Sequence, residues 1–168
     1  MVRPPSFVWG VFMNDEQIAA LIAEEKIVAN PSARWSHVKN VRQKTFSATS
    51  QSGNTYSIVL RQNTKYAENF SCGIRLDVPG ADPLMLVRYN GSDHGHSNPI
   101  ENTSWPEGFF HIHRATQRYI ESGRKSEHFA ETTQRFTTLA SAFRCMVKDC
   151  NIQGLESKPA TDDLFGEP

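Results

Sequence analysis

The stretch KTFSATSQSGNTYSIVLRQ, residues 44–62, decides the fold. Two runs, 44–51 and 55–62, flank Ser52-Gly53-Asn54. In the second run Tyr56, Ile58 and Leu60 alternate with Ser57, Val59 and Arg61. That is the period of two at which a strand sends successive side chains to opposite faces. A glycine between small polar residues supplies the turn, so an antiparallel hairpin is predicted. Working outward, 69–78 and 84–89 read as the next strands, separated by Pro79-Gly80-Ala81-Asp82-Pro83. Two prolines and a glycine make that a firm turn. An antiparallel meander of at least four strands follows.

Helical signals flank the meander. Asn14 is an N-cap with Gln17 three residues on, a capping box. Ile18, Leu21, Ile22 and Glu25 follow at helical spacing, which predicts a helix over 15–28 that ends before Asn30-Pro31. A short helix over 115–122 ends at Gly123, a natural residue just past a helix end. Downstream, Ser126 can cap a long final helix. Phe129, Thr133, Phe136, Leu139, Ala140, Phe143, Met146 and Val147 recur every three or four residues, a stripe for packing on the sheet. The expected class is α+β: an antiparallel β-meander packed by a long C-terminal helix, with an N-terminal helix. Residues 1–154 form a single α+β domain and 155–168 a flexible acidic tail.

The bulk numbers bound the function. Of 168 residues 38% are apolar, and 18 Lys+Arg balance 18 Asp+Glu. Zero net charge argues against a strongly electrostatic nucleic-acid or membrane binder. The balance is uneven, however. The tail holds Glu156, Asp162, Asp163 and Glu167 against Lys158, and eight basic residues from Arg34 to Arg88 face only Glu68, Asp77 and Asp82. A mildly basic sheet can meet phosphates. Three cysteines (Cys72, Cys145, Cys150), without CxxC spacing or a secretory signal in residues 1–10, point to reduced thiols in a cytoplasm. No apolar run reaches the roughly 18 residues of a membrane span.

The least random feature is histidine. His94-Gly95-His96 and His111-Ile112-His113 place four of six histidines within twenty residues. Residues 109–114 read as a strand, so His111 and His113 share one face while Phe110 and Ile112 turn to the core. If that strand pairs with 84–89, the long loop between them folds His94 and His96 over the pair, and all four rings meet. Three uses fit. Histidine titrates near neutrality, so His94, His96, His111 and His113 can supply the base and acid of phosphodiester cleavage. Arg88 and Arg114 then hold phosphate, and Tyr89 or Tyr119 binds or stacks on a base. Alternatively the same four histidines hold a divalent transition metal such as zinc, with Asp93 and Glu101 as carboxylate ligands or supports. Third, the rings only cross-link loop and strand in a non-catalytic interaction module. His37 and His128 read as isolated structural histidines, Trp105-Pro106 as a hydrophobic latch, and Glu127 and Glu131 as a solvated helix face. No Walker loop, G-x-G-x-x-G, G-x-S-x-G or H-E-x-x-H occurs.

Arg88-Tyr89-Asn90-Gly91, then a histidine loop, then Phe110-His111-Ile112-His113-Arg114-Ala115-Thr116, resembles a family of small bacterial domains with RYNG and HIHRAT motifs. More loosely it is similar to the TumE-like toxins of toxin–antitoxin pairs, which show an Arg-Tyr-Asp-Asn segment and a later His-x-His after a short meander. The resemblance covers residues 88–116, and Asn90-Gly91 departs from Asp-Asn. It implies an RNA-directed or otherwise growth-inhibiting toxin or defence protein with a cognate antitoxin or other protein partner. It also implies Arg88, Tyr89, His111 and His113 as site residues.

Overall fold

The computed structural model describes residues 13–155; the acidic stretch from 156 onward and the residues read for a signal before 13 lie outside the described residues. In chain order the elements are α1 (Asp15–Ala23), β1 (Lys26–Val28), β2 (Ser36–Val38), β3 (Val41–Thr49), β4 (Thr55–Asn63), β5 (Phe70–Asp77) and β6 (Leu84–Asn90). There follow β7 (His96–Asn98), β8 (Thr103–Trp105), β9 (His111–Arg114), α2 (Gln117–Glu121), β10 (Ala130–Thr132), α3 (Leu139–Asp149) and β11 (Ile152–Gln153). One sheet runs β10-β9-β6-β5-β4-β3-β1-β11, with β2 also paired to β3; all its pairings are antiparallel except β1 with β11. It curls into a half-barrel. A second, two-stranded sheet is the hairpin β7–β8.

The meander is as expected, and the class is not. The fold is mostly β, with helices of nine, five and eleven residues, so the α+β arrangement with a long C-terminal helix is overturned. The helical stripe had joined two different elements. Residues 130–132 pair with β9 as a strand, and the Phe129 ring takes the Arg118 guanidinium at 4.6 Å. Thr137 and Thr138 are β-branched, poor helix interior, and Thr138 instead caps α3 in a reciprocal capping box with Ser141. Phe136, Leu139, Phe143 and Met146 do reach the core. The N-terminal helix has its expected Asn14–Gln17 capping box but stops at Ala23. Buried Lys26 explains the stop: its Nζ donates to the carbonyls of Ile22 (2.9 Å), Glu24 (2.6 Å) and Cys150 (3.0 Å). The ammonium satisfies carbonyls that a helix end leaves open, and the chain continues as β1 against β11.

The two faces of the sheet differ in chemistry. One carries Phe46, Ile58, Leu60, Cys72 and Ile74 and is covered by α3 through Ala142, Phe143 and Met146. On the other, the strand register lines up Arg61, Ser71, Asn90 and His111 in one row, and Val59, Gly73, Arg88 and His113 in the next. The hairpin β7–β8 lies over the β9 end of these rows. Its anchor is Asn98, whose Nδ2 donates to the Ala130 carbonyl (2.8 Å) and whose Oδ1 accepts from the Ala130 N–H (3.0 Å). One side-chain amide thus completes the edge of β10 as another strand would. Asn98→Ala leaves two buried backbone groups unpaired and is expected to cost about 3 kcal/mol. Urea unfolding measures this, with Thr103→Ala as a milder comparison, since Thr103 Oγ1 only accepts the same amide (3.0 Å).

Candidate functional site

Strand alternation turns His111 and His113 to the polar face, yet both are buried, at 0% and 4% exposure, beneath the β7–β8 hairpin. Their Nδ1–H groups donate to the carbonyls of Phe109 and Glu127, each at 2.9 Å. Each ring therefore keeps Nε2 as a lone pair. Burial is the main cause that pushes His111 down to about 4 and His113 down to about 2, and the nearby Arg88 guanidinium and neighbouring rings act in the same direction. Both are neutral imidazoles at physiological pH.

The loop histidines close on this pair, as the pairing of β6 with β9 requires. His96 lies 4.8 Å from His113 and 5.8 Å from His111 between ring centres. Ala130 N–H fixes the Asn98 oxygen, so His96 donates Nε2–H to it (3.0 Å) and keeps Nδ1 free of hydrogen. Burial lowers the pKa of His96 as well. His94 is the exposed member. Its ring stands 5.1 Å from His111, and its Nδ1 is hydrogen-bonded to Asp93 at 2.8 Å. A fifth ring joins: His128 lies 5.3 Å from His96, donates Nε2–H to the Ser97 carbonyl (3.1 Å) and stacks on Tyr119 at 5.2 Å. It was expected as an isolated residue of a long helix; the signal that places it here is long-range, the pairing of β10 with β9. Trp105 fills the latch role, 5.1 Å from His96 and 5.7 Å from His111.

The other expected site residues divide. Arg88 stands in the row of His113, with Nη1 at 3.8 Å from Glu127. That pairing buries Glu127, which was expected on a solvated face. Tyr89 is buried on the opposite side and donates its hydroxyl to Asp149 (2.6 Å) at the end of α3, where Arg135 also pairs with that carboxylate. Arg114 is exposed on that same side, away from the histidines. Tyr119 is buried behind the cluster, its hydroxyl on Glu101 (2.7 Å), and Glu101 is held also by Arg118. Arg61 and Asn90 were not expected in the site, and the register brings them there.

These residues edge an open cleft of about 260 Å³, lined by Arg61, Ser71, Arg88, Asn90, Asp93 and His94. Four buried polar atoms around it and the cluster have no hydrogen-bond partner among the described residues: Arg88 Nε, Asn90 Oδ1, His113 Nε2 and Trp105 Nε1. A larger groove of about 470 Å³ between α1 and the β3–β4 turn has Glu24 as its one charged lining residue among the described residues, and that carboxylate is tied to Ser52, Asn54 and Tyr56. Among the described residues no three His, Cys, Asp or Glu side chains are arranged to hold a metal ion, and no helix is long and apolar enough to cross a membrane. No protein-family model, curated protein or solved structure matches the chain.

Burial of neutral imidazoles has a thermodynamic signature. Unfolded, His111 and His113 take up protons at the ordinary histidine pKa near 6.5; folded, they resist until about 4 and about 2. Unfolding therefore binds protons below pH 6.5, and stability is lost as pH falls from there toward 4, with His113 continuing toward 2. The slope approaches about 1.4 kcal/mol per pH unit for each histidine. Urea titrations at pH 7, 6 and 5 measure it, and His113→Leu is expected to flatten the dependence.

Proposed function

We propose that the protein is a metal-independent nuclease that cleaves RNA. The observation that carries this reading is a cleft edged by two guanidiniums, with the neutral imidazole of His111 buried behind its Asn90 wall and a second, exposed histidine, His94, at its rim. In this reading Arg61 and Arg88 hold a phosphodiester. His111 Nε2 takes the proton from the ribose 2′-hydroxyl, and that oxygen attacks phosphorus. The bond to the 5′-oxygen breaks, and protonated His94, oriented by Asp93, gives the leaving oxygen its proton. The products are a 2′,3′-cyclic phosphate and a free 5′-hydroxyl. A bound phosphate offsets the charge of Arg88 and so strengthens His111 as a base. Burial holds His111 neutral, and the neighbouring His94 and His96 rings and Arg88 act in the same direction. Uncontrolled RNA cleavage accounts for the toxin role that the looser resemblance to TumE-like toxins implies, and a neutralising antitoxin is the partner expected with it.

A second reading has its own observation. The buried rings of His96, His111 and His113 each donate one N–H to a fixed acceptor and keep the other nitrogen as a lone pair, which is the form in which histidine binds zinc. In that reading the inner histidines close around a metal after a small rearrangement.

One experiment separates the two. Protein purified without a His tag is incubated with an RNA oligonucleotide and with single-stranded DNA, in EDTA and in added zinc. The acid–base reading expects cyclic-phosphate ends from RNA in EDTA, with His111→Ala and His94→Ala each slower by about 10²–10⁴. Cleavage only with zinc, together with stoichiometric zinc by elemental analysis, favours the metal reading. Intact RNA in every condition removes the nuclease proposal.

A further inference from the structure

We propose that Asn90 selects a substrate with a hydroxyl beside its phosphate, so that the Arg61–Arg88 cleft takes ribose-phosphate and discriminates against deoxyribose. This rests on the nuclease reading and names the residue that reads the sugar. Asn90 is 5% exposed and ends β6 between Ser71 and His111 in the row. Its amide has one allowed orientation. His111 commits Nδ1–H to the Phe109 carbonyl, so Nε2 can only accept, and the Asn90 group facing it at 3.4 Å is Nδ2. Oδ1 is then a buried acceptor on a residue that lines the cleft, and no group among the described residues donates to it. A buried acceptor without a donor is costly, so the ligand that suits this cleft brings a donor of its own.

The remaining walls define the rest of that ligand. Arg61 is exposed and one place along the row from Ser71; Arg88 is half-buried and its Nε has no partner. Two cations beside an unmet acceptor fit an anion that carries a neighbouring hydroxyl. A bare phosphodiester of DNA supplies the charge but not the donor; RNA supplies both, the charge from its phosphate and the donor from its 2′-hydroxyl. The same contact holds that hydroxyl beside the Asn90–His111 pair; for cleavage its single proton turns from Asn90 Oδ1 to His111 Nε2, which gives up its contact with Asn90 Nδ2 to receive it. Asn90 is therefore a specificity residue that also positions the nucleophile.

Binding tests this without cleavage. His94→Ala protein, which lacks the proposed acid and keeps the Asn90–His111 pair, is titrated with three eight-residue oligonucleotides of one sequence: all-ribose, all-deoxyribose and all-2′-O-methyl. The 2′-O-methyl sugar keeps an oxygen but has no donor. The ribose form is expected to bind at least tenfold tighter than either of the others. Adding Asn90→Ala should reduce that preference to less than twofold. Asn90→Asp keeps an acceptor and should retain the preference at weaker overall affinity, which also serves if the alanine variant folds poorly. Arg61→Ala should weaken all three alike and lower the dependence on salt. Equal binding of ribose and deoxyribose oligonucleotides, no binding of any of them, or a preference that survives Asn90→Ala overturns the inference. Ribose preference in a protein that never cleaves RNA would leave the inference standing and remove only the nuclease proposal. Cleavage of RNA without ribose preference would do the reverse.

Discussion

The pairing of β6 with β9 is the constraint on which the rest depends. Its register sets Arg88 opposite His113 and Asn90 opposite His111 on one face, and Tyr89 opposite Ile112 on the other. Twenty residues of loop must close for this pairing to form, at an entropic cost that rises only slowly with loop length. The loop is not idle once closed. It folds into β7–β8, and Asn98 ties that hairpin to β10, the strand on the far side of β9. The two histidine pairs are thus brought together by one strand pairing and one side-chain amide.

The site is electrostatically unusual because its imidazoles are buried without carboxylate partners of their own. The inner rings answer to backbone carbonyls and to an amide, and only exposed His94 answers to a carboxylate. Carbonyls fix which nitrogen holds the proton without stabilising the cation much, so desolvation prevails and the buried rings stay neutral. Arg88 works in the same direction. Its charge is met by Glu127 at 3.8 Å, a separation that leaves the guanidinium free to engage an anion. A positive cleft beside neutral bases suits acid–base chemistry on a phosphate better than it suits a structural cross-link.

What was legible in the sequence was local or strictly periodic. The hairpin over 44–62, the turn at Pro79–Pro83, the Asn14 capping box and the shared face of His111 and His113 all follow from neighbours a few residues apart. The closure of His94 and His96 followed once β6 was paired with β9. The long helix failed because aromatic residues at helical spacing also serve β10, a turn and α3 in succession, and periodicity alone does not mark the breaks. Tyr89 and Arg114 were assigned by their closeness in sequence to the histidines; alternation sends them to the other side. Arg61 enters the site through register across β4, β5 and β6, Asn98 through its amide on β10, and His128 through the segment just before β10, none of which a short window contains.

That register has a further implication for how the protein matures. Side chains on β9 alternate with a period of two, so a slip of one residue against β6 would carry His111 and His113 into the oily interior and turn Ile112 out to water. No such slipped chain can keep a sound core with a faulty site, or the reverse. Folding therefore acts as its own quality control: a chain that has packed its interior in this register has also set His111 and His113 on the polar face beside Asn90 and Arg88.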